Sequence, residues 1–201
     1  MADWGAQENA VKGRSGERGV LFLVVGPSGA GKDTLIDAAR LARPDLHYPK
    51  RVITRPALSG GEAHTEVSAE AFDVMEAENA FALSWRAHGL AYGVPIDIDE
   101  ALVAGRDVVA NVSRSVIERA RTRFAPVRVL VITAAAPVLA ARLAARGREN
   151  EQQIADRLTR STYQAPQGED VVWIDNGGDL DTGVAAFLGA LSPSAETGER
   201  A

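Results

Sequence analysis

Residues 20–25 read VLFLVV, six consecutive apolar positions that run straight into a glycine-rich turn. So short an uninterrupted run predicts a strand buried on both faces. Residues 32–41 follow with Leu35, Ile36 and Ala39 on one side, the spacing of a helix with an apolar face. A second strand is predicted to end near Ile53, before the Thr54-Arg55-Pro56 corner. Further strands are expected at 107–110, 127–132 and 171–174. Helical stretches begin at Ser115, Pro137 and Glu149, and a last one spans 180–188. Strands and helices alternating at this spacing predict βαβ units and an α/β fold with a mainly parallel central sheet.

The helix from Pro137 shows both its ends. Proline suits a first turn, where its missing N–H costs nothing, and Gly147 can close the helix in a left-handed conformation. Leu139 and Leu143 repeat at i,i+4 on the side predicted to be buried.

One stretch breaks the rhythm. Residues 58–95 exceed a simple crossover and hold a short helix at 69–78, an aromatic segment at 81–85, a Gly89 turn and Tyr92-Gly93-Val94. This reads as an inserted substrate-binding lobe. The expected organisation is a flexible tail at 1–18, one domain at 19–191 and a second tail at 192–201. The domain includes that insert and a lid region at about 137–163.

Composition narrows the classes of chemistry. The 201 residues are 46% hydrophobic and 24% charged, enough for one sizeable core. Lys plus Arg is 22 against 27 Asp plus Glu, a formal charge of -5 that disfavours nucleic acid as a general partner. There is no cysteine, so disulfides, thiolate nucleophiles and sulfur-ligated zinc are excluded. His47, His64 and His88 lack metal-site spacing. No apolar run reaches membrane-spanning length, and the first 19 residues do not resemble a secretory leader. A cytoplasmic protein without a membrane partner is expected, and a homodimer stays open.

The strongest local signal is GPSGAGKDT: Gly26, Pro27, Ser28, Gly29, Ala30, Gly31, Lys32, Asp33 and Thr34. It satisfies G-x-x-x-x-G-K between a buried strand and a helix, the setting that makes the motif a phosphate cradle. Backbone N–H groups and the helix N-terminus favour a phosphate, and Lys32 can bridge the β- and γ-phosphates of ATP. The residue after the lysine is Asp33, where a hydroxyl is usual. Asp33 is a candidate Mg²⁺ ligand, Thr34 a weaker one. The alternative for Asp33 is a first-turn acid favoured by the helix dipole.

Arginines supply the rest of the candidate chemistry. Arg142, Arg146 and Arg148 bracket the end of the Pro137 helix, and Arg157 lies in the next predicted one. Together they suit a lid that excludes water and neutralises a transferring phosphoryl group. The alternative is a solvated face paired with Glu149, Glu151 and Asp156. Arg51, Arg55, Arg86 and Arg114 stand near predicted strand ends, where ligands of open α/β sheets bind, and suit a highly anionic acceptor. His64 and His88 read equally as phosphate contacts or as packing and surface residues.

The loop, TRP at 54–56, HGLAYGV at 88–94 and RLAARGREN at 142–150 together resemble the guanylate kinase-like branch of P-loop kinases. Within it, GKD, VITR at 52–55, ALSW at 82–85 and RGREN at 146–150 resemble the ribose 1,5-bisphosphate phosphokinase family. The resemblance covers residues 20–191. It implies a three-layer P-loop kinase fold with an insert and a helical lid, ATP and Mg²⁺ as cofactors, and a phosphorylated sugar as acceptor. It also implies that Arg55 binds acceptor phosphate with Arg51, Arg86 and Arg114, and that Tyr92 belongs to the acceptor side. Arg142, Arg146, Arg148 and Arg157 would form the lid, with Arg148 on the ATP side. Asn176 would meet adenine, a plain turn being the alternative.

Compared with guanylate kinases, the chain departs on the acceptor side. Their second arginine after TRP corresponds to Leu58, their guanine-binding glutamate to Leu83, a base-contacting hydroxyl to Val94, and a further acid to Asn111. Missing partners for a purine's N–H groups cost about 1–3 kcal/mol each. The implied reaction is therefore ATP-dependent phosphorylation of ribose 1,5-bisphosphate to 5-phospho-α-D-ribose 1-diphosphate (PRPP). A nucleoside monophosphate kinase and a non-catalytic module of the same fold are the alternatives.

Overall fold

The structure is a computed structural model, and it describes residues 17–56, 63–146 and 165–192. Strand β1 (Leu21–Val25) leads into helix α1 (Lys32–Ala42), and β2 (Val52–Ile53) and β3 (Thr65–Glu66) follow as two-residue strands. Helix α2 (Ala69–Ala77), the hairpin β4 (Phe81–Ala87) and β5 (Leu90–Pro95), and short α3 (Ile98–Val103) come next. Then come β6 (Val108–Asn111), a 3₁₀ turn (Arg114–Val116), α4 (Ile117–Arg123) and β7 (Val127–Thr133). Helix α5 (Ala136–Arg146), β8 (Val171–Asp175) and α6 (Leu180–Ala190) complete the order.

The central sheet runs β6-β1-β7-β8 with every pairing parallel. All five residues of β1 are buried, as its unbroken apolar run requires. Leu21, Leu23 and Val25 join one cluster with residues of α3, α4 and the β4–β5 hairpin, including Leu102, Ala120 and Leu83. Phe22 and Val24 turn the other way, towards Leu35, Leu139 and Phe187 of α1, α5 and α6. Both faces of the sheet are therefore covered, which gives the three layers.

The expected second strand divides in two. His47 makes a single parallel bridge to Val108 beside the central sheet. Val52–Ile53 instead lies in a second sheet of order β3-β2-β5-β4, antiparallel to β5. The intervening residues carry the chain from one sheet to the other. Helix α2 closes the second sheet, with Phe72 stacked on Phe81 at 4.6 Å. Ser68 caps α2 by accepting from the Ala71 N–H at 3.1 Å. Short α3 and two-residue β3 were not anticipated, being too brief to show a period.

The predicted helix at Pro137 begins one residue earlier, at Ala136. Leu139 and Leu143 are buried as expected, each contributing roughly 1.5–3 kcal/mol. Gly147, the helix expected from Glu149 and most of both tails lie outside the described residues. Among the described residues, no helix is long and apolar enough to cross a membrane.

Candidate active site

The glycine loop joins the C-terminal end of β1 to α1. Gly29 and Gly31 adopt φ of +87° and +88°, in the left-handed region that favours glycine. Gly31 caps α1 without a side chain, which leaves an anion the natural partner for that helix end. The Lys32 ammonium folds back over the loop, donating to the Gly26 carbonyl at 2.8 Å and the Pro27 carbonyl at 2.9 Å. Its charge is thus held at the loop.

Two neighbours hold the loop from behind. Asn176, at the end of β8, is 3% exposed and its amide donates to the Ala30 carbonyl at 2.8 Å. A Cβ on Gly31 would come within 2.4 Å of the Asn176 amide nitrogen, and one on Gly183 within 2.3 Å of its oxygen. Two glycines therefore make room for one asparagine. The Asn176 side chain, expected to meet adenine, thus has its amide nitrogen engaged by the loop backbone. Arg142 of α5 donates to the Asn176 carbonyl at 2.9 Å and reaches towards the Gly29 carbonyl at 3.5 Å. That places one expected lid arginine against the loop. The side chain of Arg146, and Arg148 and Arg157 entirely, lie outside the described residues.

Asp33 lies in the first turn of α1, where one carboxylate oxygen accepts from the Asn111 amide at 2.9 Å. Asn111 ends β6, so the pair ties that strand end to the loop helix. Thr34 is exposed beside it. No group of three or more acidic or histidine residues gathers into a metal cage among the described residues. Magnesium does not need one, since it commonly binds through one or two carboxylates plus phosphate oxygens. The donor set fits that ion.

A small cleft opens next to this pair, lined by Asp33, Asp37, Arg40, Tyr48, Arg51 and Asn111 among others. Burial pushes the Tyr48 phenol up to about 12, so it stays protonated and donates to the Arg43 carbonyl. Arg51 lies over the rings of Trp85 and Tyr92, at 5.7 and 5.6 Å from their centroids. Arg51 and Tyr92, two expected acceptor residues, are therefore neighbours. Arg55 is half-buried, and its carbonyl accepts from Nε2 of buried His64 at 2.9 Å. His64 thus clamps the TRP corner. The Thr54 hydroxyl adds a second clamp by accepting from the Ala91 N–H at 2.9 Å.

Arg114 opens the 3₁₀ turn three residues beyond the end of β6. Arg86 goes elsewhere: it pairs with Asp73 at 2.7 Å and Glu76 at 2.8 Å on α2. The Arg86 hydrogen bond holds the Glu76 carboxyl below its usual range. Arg86, expected on the acceptor side, here joins the hairpin to α2 through these ion pairs. His88 sits in the hairpin turn with φ +54°, ahead of Gly89.

Leu83 and Val94 face each other across β4 and β5 and are 1% and 0% exposed, within the core beside β1. Neither offers a polar group to a base. Leu58 lies outside the described residues. Trp85 beside Arg51 and Asn111 beside Asp33 are the neighbours of the expected site residues to which no sequence motif assigns a role.

The fold is that of the P-loop kinases. A guanylate kinase from Anaplasma phagocytophilum superposes with a TM-score of 0.62 at 17% identity, covering 87% of this chain and 85% of that one. A gluconokinase from Sinorhizobium meliloti 1021 gives 0.51 at 20% identity, covering 87% and 93%. No protein-family model matches the chain. Full-length sequence relatives are more specific. The ribose 1,5-bisphosphate phosphokinase of Rhizobium etli is 46% identical over 182 residues, 89% of this chain and 92% of that one. That of Rhodopseudomonas palustris is 52% identical over 164 residues, 80% and 82% of the two chains. The chain belongs to the ribose 1,5-bisphosphate phosphokinase family. It also matches, at 44% identity over 90% of its length, 31% of a bifunctional ribose 1,5-bisphosphokinase-thymidine phosphorylase from Cupriavidus pinatubonensis.

Proposed function

We propose that this chain transfers the γ-phosphoryl group of ATP to the 1-phosphate of ribose 1,5-bisphosphate, giving PRPP and ADP. One arrangement carries the reading: a lysine-bearing phosphate loop next to a cleft lined by Arg40 and Arg51, with a buried apolar Leu83 where the guanylate kinase resemblance expects a guanine-binding glutamate.

The acceptor's 1-phosphate has a second pKa of about 6 and is largely dianionic at neutral pH. No side-chain base is needed. A 1-phosphate oxygen attacks the γ-phosphorus, the bond from that phosphorus to the β,γ-bridging oxygen breaks, and its electron pair leaves with ADP. The protein's task is alignment and charge compensation. Lys32 lies where it can follow the charge between β- and γ-phosphates, and Arg142 approaches the same loop from α5. Arg51, with Arg55, Arg114 and Tyr92, serves the acceptor. Asp33, oriented by Asn111, would hold Mg²⁺ with Thr34 nearby. When bound, that ion compensates charge on the ATP phosphates.

The test supplies ATP and Mg²⁺ with ribose 1,5-bisphosphate and follows the products by phosphorus NMR. A new diphosphate on the anomeric carbon, equimolar with ADP, supports the proposal. ADP formation without that signal contradicts it.

A further inference from the structure

Trp85 is 8% exposed and its indole has a definite partner. It faces Tyr92 across the β4–β5 hairpin, with ring centroids 5.3 Å apart and planes within 2° of parallel. The Arg51 guanidinium lies against both rings, and Arg51 also lines the cleft shared by Asp33 and Asn111. Trp85 itself belongs to the same apolar cluster as Val112 and Val116, just past the end of β6. The two rings thus form a shelf anchored in the core and topped by a cation.

Resting on the acceptor assignment above, we infer that Trp85 is a specificity-determining residue that acts through Arg51. A guanidinium can lay its face on aromatic rings while its N–H edge donates to phosphate oxygens. Held this way, Arg51 loses less freedom when an anionic acceptor arrives. The indole also covers one face of the Tyr92 ring, so a planar base finds that stacking surface taken. A compact phosphorylated sugar needs the charged edge and no aromatic face. One side chain thereby favours the sugar phosphate and disfavours a nucleotide acceptor.

The experiment compares wild type with Trp85→Leu, Trp85→Phe, Arg51→Ala and the Arg51→Ala/Trp85→Leu double variant. Trp85→Met also removes the stack and serves if Trp85→Leu fails to fold. Trp85→Leu keeps an apolar side chain, though a smaller one, and loses the stack. It should raise KM for ribose 1,5-bisphosphate about tenfold, with kcat and KM for ATP within about twofold of wild type. Trp85→Phe should recover most of that loss, and Trp85→Met should show the same acceptor-only shift as Trp85→Leu. In the Arg51→Ala background, Trp85→Leu should add little, because its effect runs through Arg51.

Equal shifts in both KM values, no rescue by phenylalanine, or full additivity with Arg51→Ala would overturn the role of Trp85. A wild-type enzyme that leaves ribose 1,5-bisphosphate untouched would instead overturn the functional proposal on which this inference rests.

Discussion

The Asn176 side-chain amide donates to the Ala30 carbonyl at 2.8 Å, joining two residues 146 positions apart in a contact sealed from water. The end of β8 thereby supports the phosphate loop from beneath, and Gly31 and Gly183 leave the space for it. Replacing Asn176 with Ala should leave the Ala30 carbonyl without that donor, costing about 1–3 kcal/mol. KM for ATP should rise more than KM for the acceptor. Urea unfolding and steady-state kinetics check both; an unchanged KM for ATP would mean the loop holds its shape alone.

Lys32 lies within hydrogen-bonding distance of two loop carbonyls and plays no part in the core. Lys32→Ala should therefore keep the thermal unfolding temperature within a few degrees and lower kcat by about 10²–10³, the loss seen when one charge-stabilising donor is removed. Near-normal turnover in the folded variant would show that the lysine does not follow the transferring charge.

Asp33 and Asn111 make the magnesium prediction specific. Asp33→Ala should raise the Mg²⁺ concentration for half-maximal activity about tenfold, and Asn111→Leu should produce a smaller shift by freeing the carboxylate to rotate. Titrating Mg²⁺ at saturating ATP measures this. A Mg²⁺ requirement unchanged in Asp33→Ala would leave Asp33 only its place at the helix dipole.

Arg86 supplies a negative control. It is exposed and engaged by Asp73 and Glu76, so Arg86→Ala should leave the acceptor KM within about twofold of wild type. A large rise in that KM would assign Arg86 to the acceptor site despite its ion pairs.

His47 carries a pH prediction. Burial lowers its pKa, so the unfolded chain takes up a proton at higher pH than the native one does. Stability linked to this group should fall as pH drops below about 6.5, through the range down to the lowered native value. His47→Gln should lose less of its melting temperature than wild type between neutral and mildly acidic buffer. Parallel curves for the two proteins would assign the acid sensitivity elsewhere.

The phosphate loop was legible in the sequence because strand, turn and helix are consecutive, so the motif and both flanking elements fall within residues 21–42. The central sheet was legible for a similar reason: its strands carry short apolar runs, unbroken in β1 where both faces are buried. Two-residue strands carry no period, so the transfer of Val52–Ile53 to the second sheet left no trace. Arginine positions were only half legible. Arg51 and Arg86 both flank the expected crevice, yet α2 turns Asp73 and Glu76 towards one of them and aromatic rings meet the other. Asn176 stands at a strand end in the sequence, but its burial depends on glycines in two distant segments. Trp85 was hidden because a tryptophan in an apolar strand has the signature of core, and here it is core on one side and a support for Arg51 on the other.

Acceptor choice is measured most directly by competing kcat/KM values for ribose 1,5-bisphosphate, GMP and ribose 5-phosphate with ATP and Mg²⁺. The bisphosphate should be preferred by at least about a hundredfold, the discrimination available when a site lacks the polar partners a rival substrate needs. Efficient phosphorylation of GMP, with no turnover of the bisphosphate, would contradict it.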